Sequence, residues 1–300
     1  MQNIYEQIDS NKRRSFWVMA LFILFISAFG YFFSYVYGYD WTFLVFAIIF
    51  SSVGSFISYY YSDSLALSLA QAHPVTRKAQ PIYLATVENL AGVARIPVPK
   101  TYLIDSRAMN AFATGRDPEH AAIAVTQGLL DKLTRTELEG VVAHELSHIR
   151  NFDTRLMTIV AVLVGSIAMV MNWAWRTSMF GGRSRRSDSD NNANAILMLI
   201  GIVLIILAPI IAQLIQLAIS RRREFYADAS GVMLTRQPSG LIGALKKIAA
   251  NEDITLETAN TATAHLYIDD PVTKETHGSW LANMFSTHPP ISARIKALEA

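Results

Sequence analysis

His144-Glu145-Leu146-Ser147-His148 reads H-E-x-x-H, and the rest of the chain is best read outward from this stretch. In a helix, histidines four apart lie on one face, one turn above the other, with Cβ atoms roughly 5–6 Å apart. Both imidazoles can then reach one Zn²⁺ at about 2.0–2.1 Å. Glu145 projects about 100° around the helix from His144, beside such an ion and not bound to it. A carboxylate there suits a general base toward a water that zinc acidifies to near neutral pH. In a chain of 300 residues with 7 His, a chance match to this pattern is about a 0.6 % event. The context supports a helix. Thr136 and Glu139 form a T-x-x-E capping box that predicts a start near Glu137, and Val141, Val142, Leu146 and Ile149 supply an apolar face.

A third ligand decides the kind of site. An extended pattern that takes it from a later histidine needs Gly at 151 and His at 154; the chain has Asn151 and Thr154. Asp153 is close in sequence, but Glu224 in Arg223-Glu224-Phe225-Tyr226-Ala227-Asp228 is the better candidate. Glu224 and Asp228, four apart, share a helix face, so Glu224 can bind zinc while Asp228 orients a ligand histidine through its other nitrogen. Two histidines, one glutamate and a water make an open catalytic site, whereas structural zinc sites are closed by four protein ligands. One Zn²⁺ per chain is expected.

Composition places this chemistry at a membrane. The chain is 52 % hydrophobic and 17 % charged, against about 25 % charged in ordinary soluble domains. Four stretches, 16–39, 41–61, 156–175 and 195–220, hold no Lys, Arg, Asp, Glu or His. Each approaches or exceeds the ~20 apolar residues that span a bilayer core; a buried core helix is the alternative for the third. Lys12, Arg13 and Arg14 precede the first stretch and the turn after it has no basic residue, which puts the N-terminus in the cytoplasm. The histidines follow on the same side. Glu224 must join them there, so residues 156–220 cross an even number of times. Two crossings leave Arg221, Arg222 and Arg223 on the cytoplasmic flank, although Arg176, Arg183, Arg185 and Arg186 then lie outside, against the usual charge bias. Zero crossings would remove that conflict; two is the reading adopted.

The net charge of +2, with no basic stripe interleaved with aromatics, gives nucleic-acid binding no support. Zero cysteines rule out disulfides and thiolate ligands. The expected fold is mainly α with a small β-sheet: four hydrophobic helices and a cytoplasmic zincin-like metalloprotease domain. Residues 1–61 form the N-terminal tail and first hairpin, 62–155 the first part of the protease domain, 156–220 the second hairpin, and 221–300 the remainder with the third ligand. Within 62–155, Pro81–Val93 reads as a helix and Thr101–Ile104 as a strand, while 110–114 and 121–126 form a strand pair joined by a Gly115–His120 turn. Such strands can pack beneath the active-site helix, or one edge can bind an extended substrate. Residues 182–194 read as a flexible loop, 240–250 as a helix, 251–285 as a possible cover, and 291–300 as a last helix. His288 stands in a rigid turn with Pro289 and Pro290, where either a structural or a catalytic role is open.

Asn110-Ala111-Phe112-Ala113-Thr114-Gly115, the H-E-x-x-H motif, Arg222–Asp228 and Thr287-His288-Pro289-Pro290 together resemble the HtpX family across essentially the whole chain. These are bacterial membrane-bound zinc metalloproteases of membrane-protein quality control, similar to CAAX prenyl proteases. The resemblance implies zinc on His144, His148 and Glu224 with Glu145 as catalytic base. It further implies oxyanion stabilisation by Asn110 and His288, pairing of Arg294 with Asp228, and location in the bacterial inner membrane. Substrates would be membrane proteins or other polypeptides. A prenyl-type processing protease is one alternative, but four spans are few to enclose the chamber it needs. A non-enzymatic membrane scaffold is the other, and a complete set of zinc and base residues argues against it.

Overall fold

Ala121–Thr126 (β4) is buried along its whole length, and its alternate residues serve two different cores. Ala121, Ile123 and Val125 face one cluster while Ala122 and Ala124 face the other, as the period-2 geometry of a strand demands. A strand covered on both faces reads as a near-continuous apolar run. The computed structural model describes residues 4–37, 41–180, 221–251, 266–268 and 289–300. Around β4 the sheet runs in the order β1-β2-β4-β3. Here β1 is His73–Pro74, β2 is Lys100–Ile104 and β3 is Ala111–Gly115. β2 pairs with β4 in parallel; β1 with β2 and β3 with β4 are antiparallel. The turn from β3 to β4 is sharp. Gly115 sits at φ +130°, and a Cβ there would lie 2.2 Å from the His120 carbonyl oxygen, so only glycine fits.

Helices α1 (Ile4–Tyr37), α2 (Thr42–Tyr60), α3 (Ser62–Leu69), α4 (Pro81–Ala94), α5 (Gln127–Lys132), α6 (Arg135–Arg150) and α7 (Asp153–Phe180) precede the undescribed residues 181–220. Helices α8 (Arg221–Thr235), α9 (Pro238–Ala250) and α10 (Ile291–Glu299) follow. One sheet face packs on α4 and α6, which share a core with α9; the other packs on α3 and α7. A third cluster joins Val18 and Phe22 of α1 to Leu156, Ile159, Val160 and Leu163 of α7. The predicted helix at 81–93 and the strands at 101–104, 110–114 and 121–126 recur within one residue of their expected limits.

α6 begins earlier than the T-x-x-E at 136–139 predicts. Thr134 and Glu137 form the capping box instead. α5 ends at Lys132, and Leu133 N–H still bonds to Leu129 O, so Thr134 is the first residue able to cap a new helix. Glu139 is left to pair with Arg135 at 3.1 Å. Thr134→Ala should therefore cost about 1 kcal/mol of stability and Thr136→Ala much less; equal costs in thermal unfolding would return the cap to Thr136.

The metal-site helix does not run on into the third apolar stretch. Asn151 caps α6, Phe152 takes φ +58°, and α7 starts afresh at Asp153. The chain turns at Asn151–Asp153, so the axis of α6 is not continued by α7. Among the described residues no single helix is both long and apolar enough to cross a membrane, although the pair Leu44–Tyr60 and Ser62–Leu69, bent by 80°, is. The stretch 156–175 lies within α7 and 16–39 lies in α1 as far as Tyr37, whereas 195–220 and the loop expected at 182–194 lie outside the described residues. Phe16, Trp17, Leu24, Phe46 and Phe56 of α1 and α2 are each more than half exposed. So large an apolar surface needs a covering medium or partner.

Candidate active site

α6 carries His144 and His148 on one buried face, with their Nε2 atoms 3.2 Å apart and the rings nearly perpendicular at 89°. The first turn of α8 brings Glu224 to them. Its Oε2 lies 3.7 Å from His144 Nε2 and its Oε1 3.6 Å from His148 Nε2. Tetrahedral ligands at 2.0–2.2 Å from zinc are separated by roughly 3.3–3.6 Å, so this donor set fits the ion. All three candidate ligand atoms lie within 4.8 Å of one another.

The approach of α8 to α6 depends on Gly231, about two turns beyond Glu224. A Cβ at Gly231 would stand 3.0 Å from the His144 backbone nitrogen. Gly231→Ala should push α8 and Glu224 outward, costing about 1–3 kcal/mol as overpacking does and weakening zinc binding. A variant with unchanged melting temperature and zinc content would show that the helices have room to spare.

The outer nitrogen of each histidine meets a carboxylate. His144 Nδ1 lies 2.9 Å from Asp228 Oδ1 and His148 Nδ1 3.1 Å from Asp153 Oδ2. Such partners fix the tautomer and ring orientation of a ligand histidine. Asp228 in turn accepts a fork from the fully buried Arg294 of α10, at 2.9 Å from Nε and 2.6 Å from Nη2. Burial would push the Asp228 carboxyl up, but Arg294 outweighs it and holds the group at about 2. Glu145 is also buried. There desolvation pushes the carboxyl up, and His144 and His148 only partly offset it. A raised carboxyl pKa brings a base nearer the pH at which it works.

Sequence reasoning passed over Asp153 as a ligand and missed its role beside His148. The signal was present: two ligand histidines need two orienting partners, and Asp228 serves one. Asn110 opens β3, where its backbone N–H donates to Thr126 Oγ1 and its own Oδ1 accepts from Ala111 N–H. β3 is an edge strand on which α6 packs. On its open side Phe112 bridges Tyr267, and Ala111 O accepts from Ile268 N–H at 2.9 Å. His288 lies outside the described residues, as does most of 251–285.

Two histidines and a glutamate from adjacent helices, with a buried carboxylate between the histidines in sequence, define a zinc metalloprotease of the H-E-x-x-H plus Glu type. The chain matches peptidase family M48 over residues 76–300 and belongs to that family. It is 43% identical to a protease HtpX homolog of Lactobacillus acidophilus, covering 99% of both chains. It is 42% identical to one of Caldanaerobacter subterraneus subsp. tengcongensis, covering 100% of this chain and 98% of the relative. The crystal structure of S. mikatae Ste24p shares the fold, with TM-score 0.53 and 18% identity over 99% of this chain and 67% of that one. Family and exposed apolar helices together mark a membrane-associated protease.

Proposed function

We propose that the chain is a multi-pass membrane endopeptidase of the bacterial cell membrane that hydrolyses misfolded or damaged membrane proteins at a site facing the cytoplasm. The observation that supports this most is the junction at 151–153, where the metal-site helix ends and the apolar α7 begins. The frame of the site also reaches α1, which carries part of the exposed apolar surface, through the contacts of Asn11 with Asn151 and Asp153. In this reading α1, α2, α7 and the stretch 195–220 supply the spans, flanked on the cytoplasmic side by Lys12–Arg14 and Arg221–Arg223.

His144, His148 and Glu224 would hold the ion. Bound zinc would supply an acidified water and polarise the scissile carbonyl. Glu145 would take the proton from that water and return it to the leaving amine. Asp228 and Asp153 would keep the two imidazoles in register, with Arg294 fixing Asp228. Asn110 and His288 are the candidates for stabilising the oxyanion. An extended substrate would add to the β3 edge by backbone pairing, at the positions where Tyr267 and Ile268 pair in this structure.

Full-length Glu145→Gln protein, expressed in place of the active enzyme, should retain substrates that it cannot cut. Mass spectrometry of the membrane fraction should then find partly unfolded membrane proteins accumulating with it. Accumulation of soluble polypeptides alone, with the membrane proteome unchanged, would count against membrane-protein quality control.

A further inference from the structure

Asn11 is 4 % exposed although it lies on the first helix, immediately before the basic cluster Lys12–Arg14. Its side-chain nitrogen donates twice, to Asn151 O at 3.0 Å and to Asp153 Oδ1 at 2.8 Å. Its side-chain oxygen accepts from Arg223 Nη1 at 3.4 Å. The amide orientation follows from chemistry. A carbonyl and a carboxylate can only accept, and a guanidinium can only donate, so nitrogen must face the first pair and oxygen the third. Asn11 thus ties together Asn151, which caps α6, Asp153, which opens α7, and Arg223, the neighbour of Glu224 on α8. The Asp153 carboxylate is shared in the same way: Oδ2 meets His148 Nδ1 at 3.1 Å while Oδ1 meets Asn11. Arg223 Nη1, 3.8 Å from Oδ1, reinforces that side.

We propose that Asn11 is a positioning residue of the metal site, its amide holding the Asp153 carboxylate in the orientation that engages the outer nitrogen of His148. The inference rests on the reading of His144, His148 and Glu224 as the zinc ligands. It makes the first helix part of the site's frame as well as a hydrophobic anchor. Without the amide, Asp153 can rotate, and the ring of His148 loses the partner that aims it.

The test is zinc affinity of the full chain in detergent, measured by competition with a chromophoric chelator, which requires no turnover. Outer partners of metal ligands are typically worth 10–100-fold in affinity. Asn11→Ala and the near-isosteric Asn11→Leu should both lose about tenfold, at the lower end of that range because they act through Asp153. Asn11→Ser, which keeps one donor, should fall between them and the parent. In an Asp153→Asn background the Asn11 substitutions should add little, because the two residues act in series. Wild-type affinity in Asn11→Leu would overturn the proposal, as would an equal loss in both backgrounds, which is the behaviour of a purely structural residue. A parent protein that binds no zinc, or a Glu224→Ala variant that keeps it, would instead overturn the ligand assignment beneath.

Discussion

Glu145→Gln should lower peptide hydrolysis by about 10²–10⁴-fold, the usual worth of a positioned general base, while the purified protein keeps its zinc. Glutamine preserves the shape of the buried side chain but cannot accept a proton. Glu145 is not among the three residues whose donor atoms converge, so the ion loses no ligand. Glu224→Ala makes the opposite prediction. It removes one of those three donors and should yield protein depleted of zinc as well as inactive. Metal analysis beside a peptide-cleavage assay separates the two variants. A zinc-free Glu145→Gln protein would move that glutamate into the ligand set, and a zinc-replete Glu224→Ala protein would remove Glu224 from it.

Arg294→Met carries the largest expected loss of stability. The guanidinium is fully buried, forks onto Asp228, and also donates to Ile268 O at 3.0 Å. Methionine fills similar space but leaves the Asp228 carboxylate buried without its main counter-charge. Removing one partner of a buried ion pair typically costs about 3–5 kcal/mol. The pH dependence has a definite sign. Asp228 sits at about 2 in the folded protein, against about 3.9 for an unperturbed aspartate. A depressed carboxyl stabilises the fold fully above the unfolded value and loses that contribution as pH falls through the folded one. In Arg294→Met the folded carboxyl rises towards its unfolded value, so the deficit should be largest at neutral pH and the stability lost on acidification should shrink. Unfolding at the parental temperature, with an unchanged loss on acidification, would show that the pair contributes nothing net.

The site was legible in the sequence because helix geometry turns spacing into direction. His144 and His148 could share an ion only on a helix, and Glu224 four residues before Asp228 had to point the same way as its partner. The strands were legible because Ala121–Thr126 and its neighbours are bounded by Pro and Gly turns. What could not be read was pairing between distant segments. The T-x-x-E box read at Thr136 and Glu139 lies two residues late, because the end of α5 at Lys132 selects Thr134 as the cap. Asp153 looked like a spare carboxylate because its contact with His148 depends on a helix break at Phe152, which Asn151 and Asp153 permit but do not impose. Asn11 gave no hint at all: an amide beside a basic cluster is an ordinary surface residue until α1 is packed on α7.

The division of the site between α6 and α8 also sets a timetable for biosynthesis. A nascent chain that has emerged as far as Arg150 already carries both histidines and Glu145, but it has neither Glu224, the third of the converging donors, nor Arg294, the partner of Asp228. All of the stretch 156–220 must be made, and α8 and then α10 must dock, before the constellation closes.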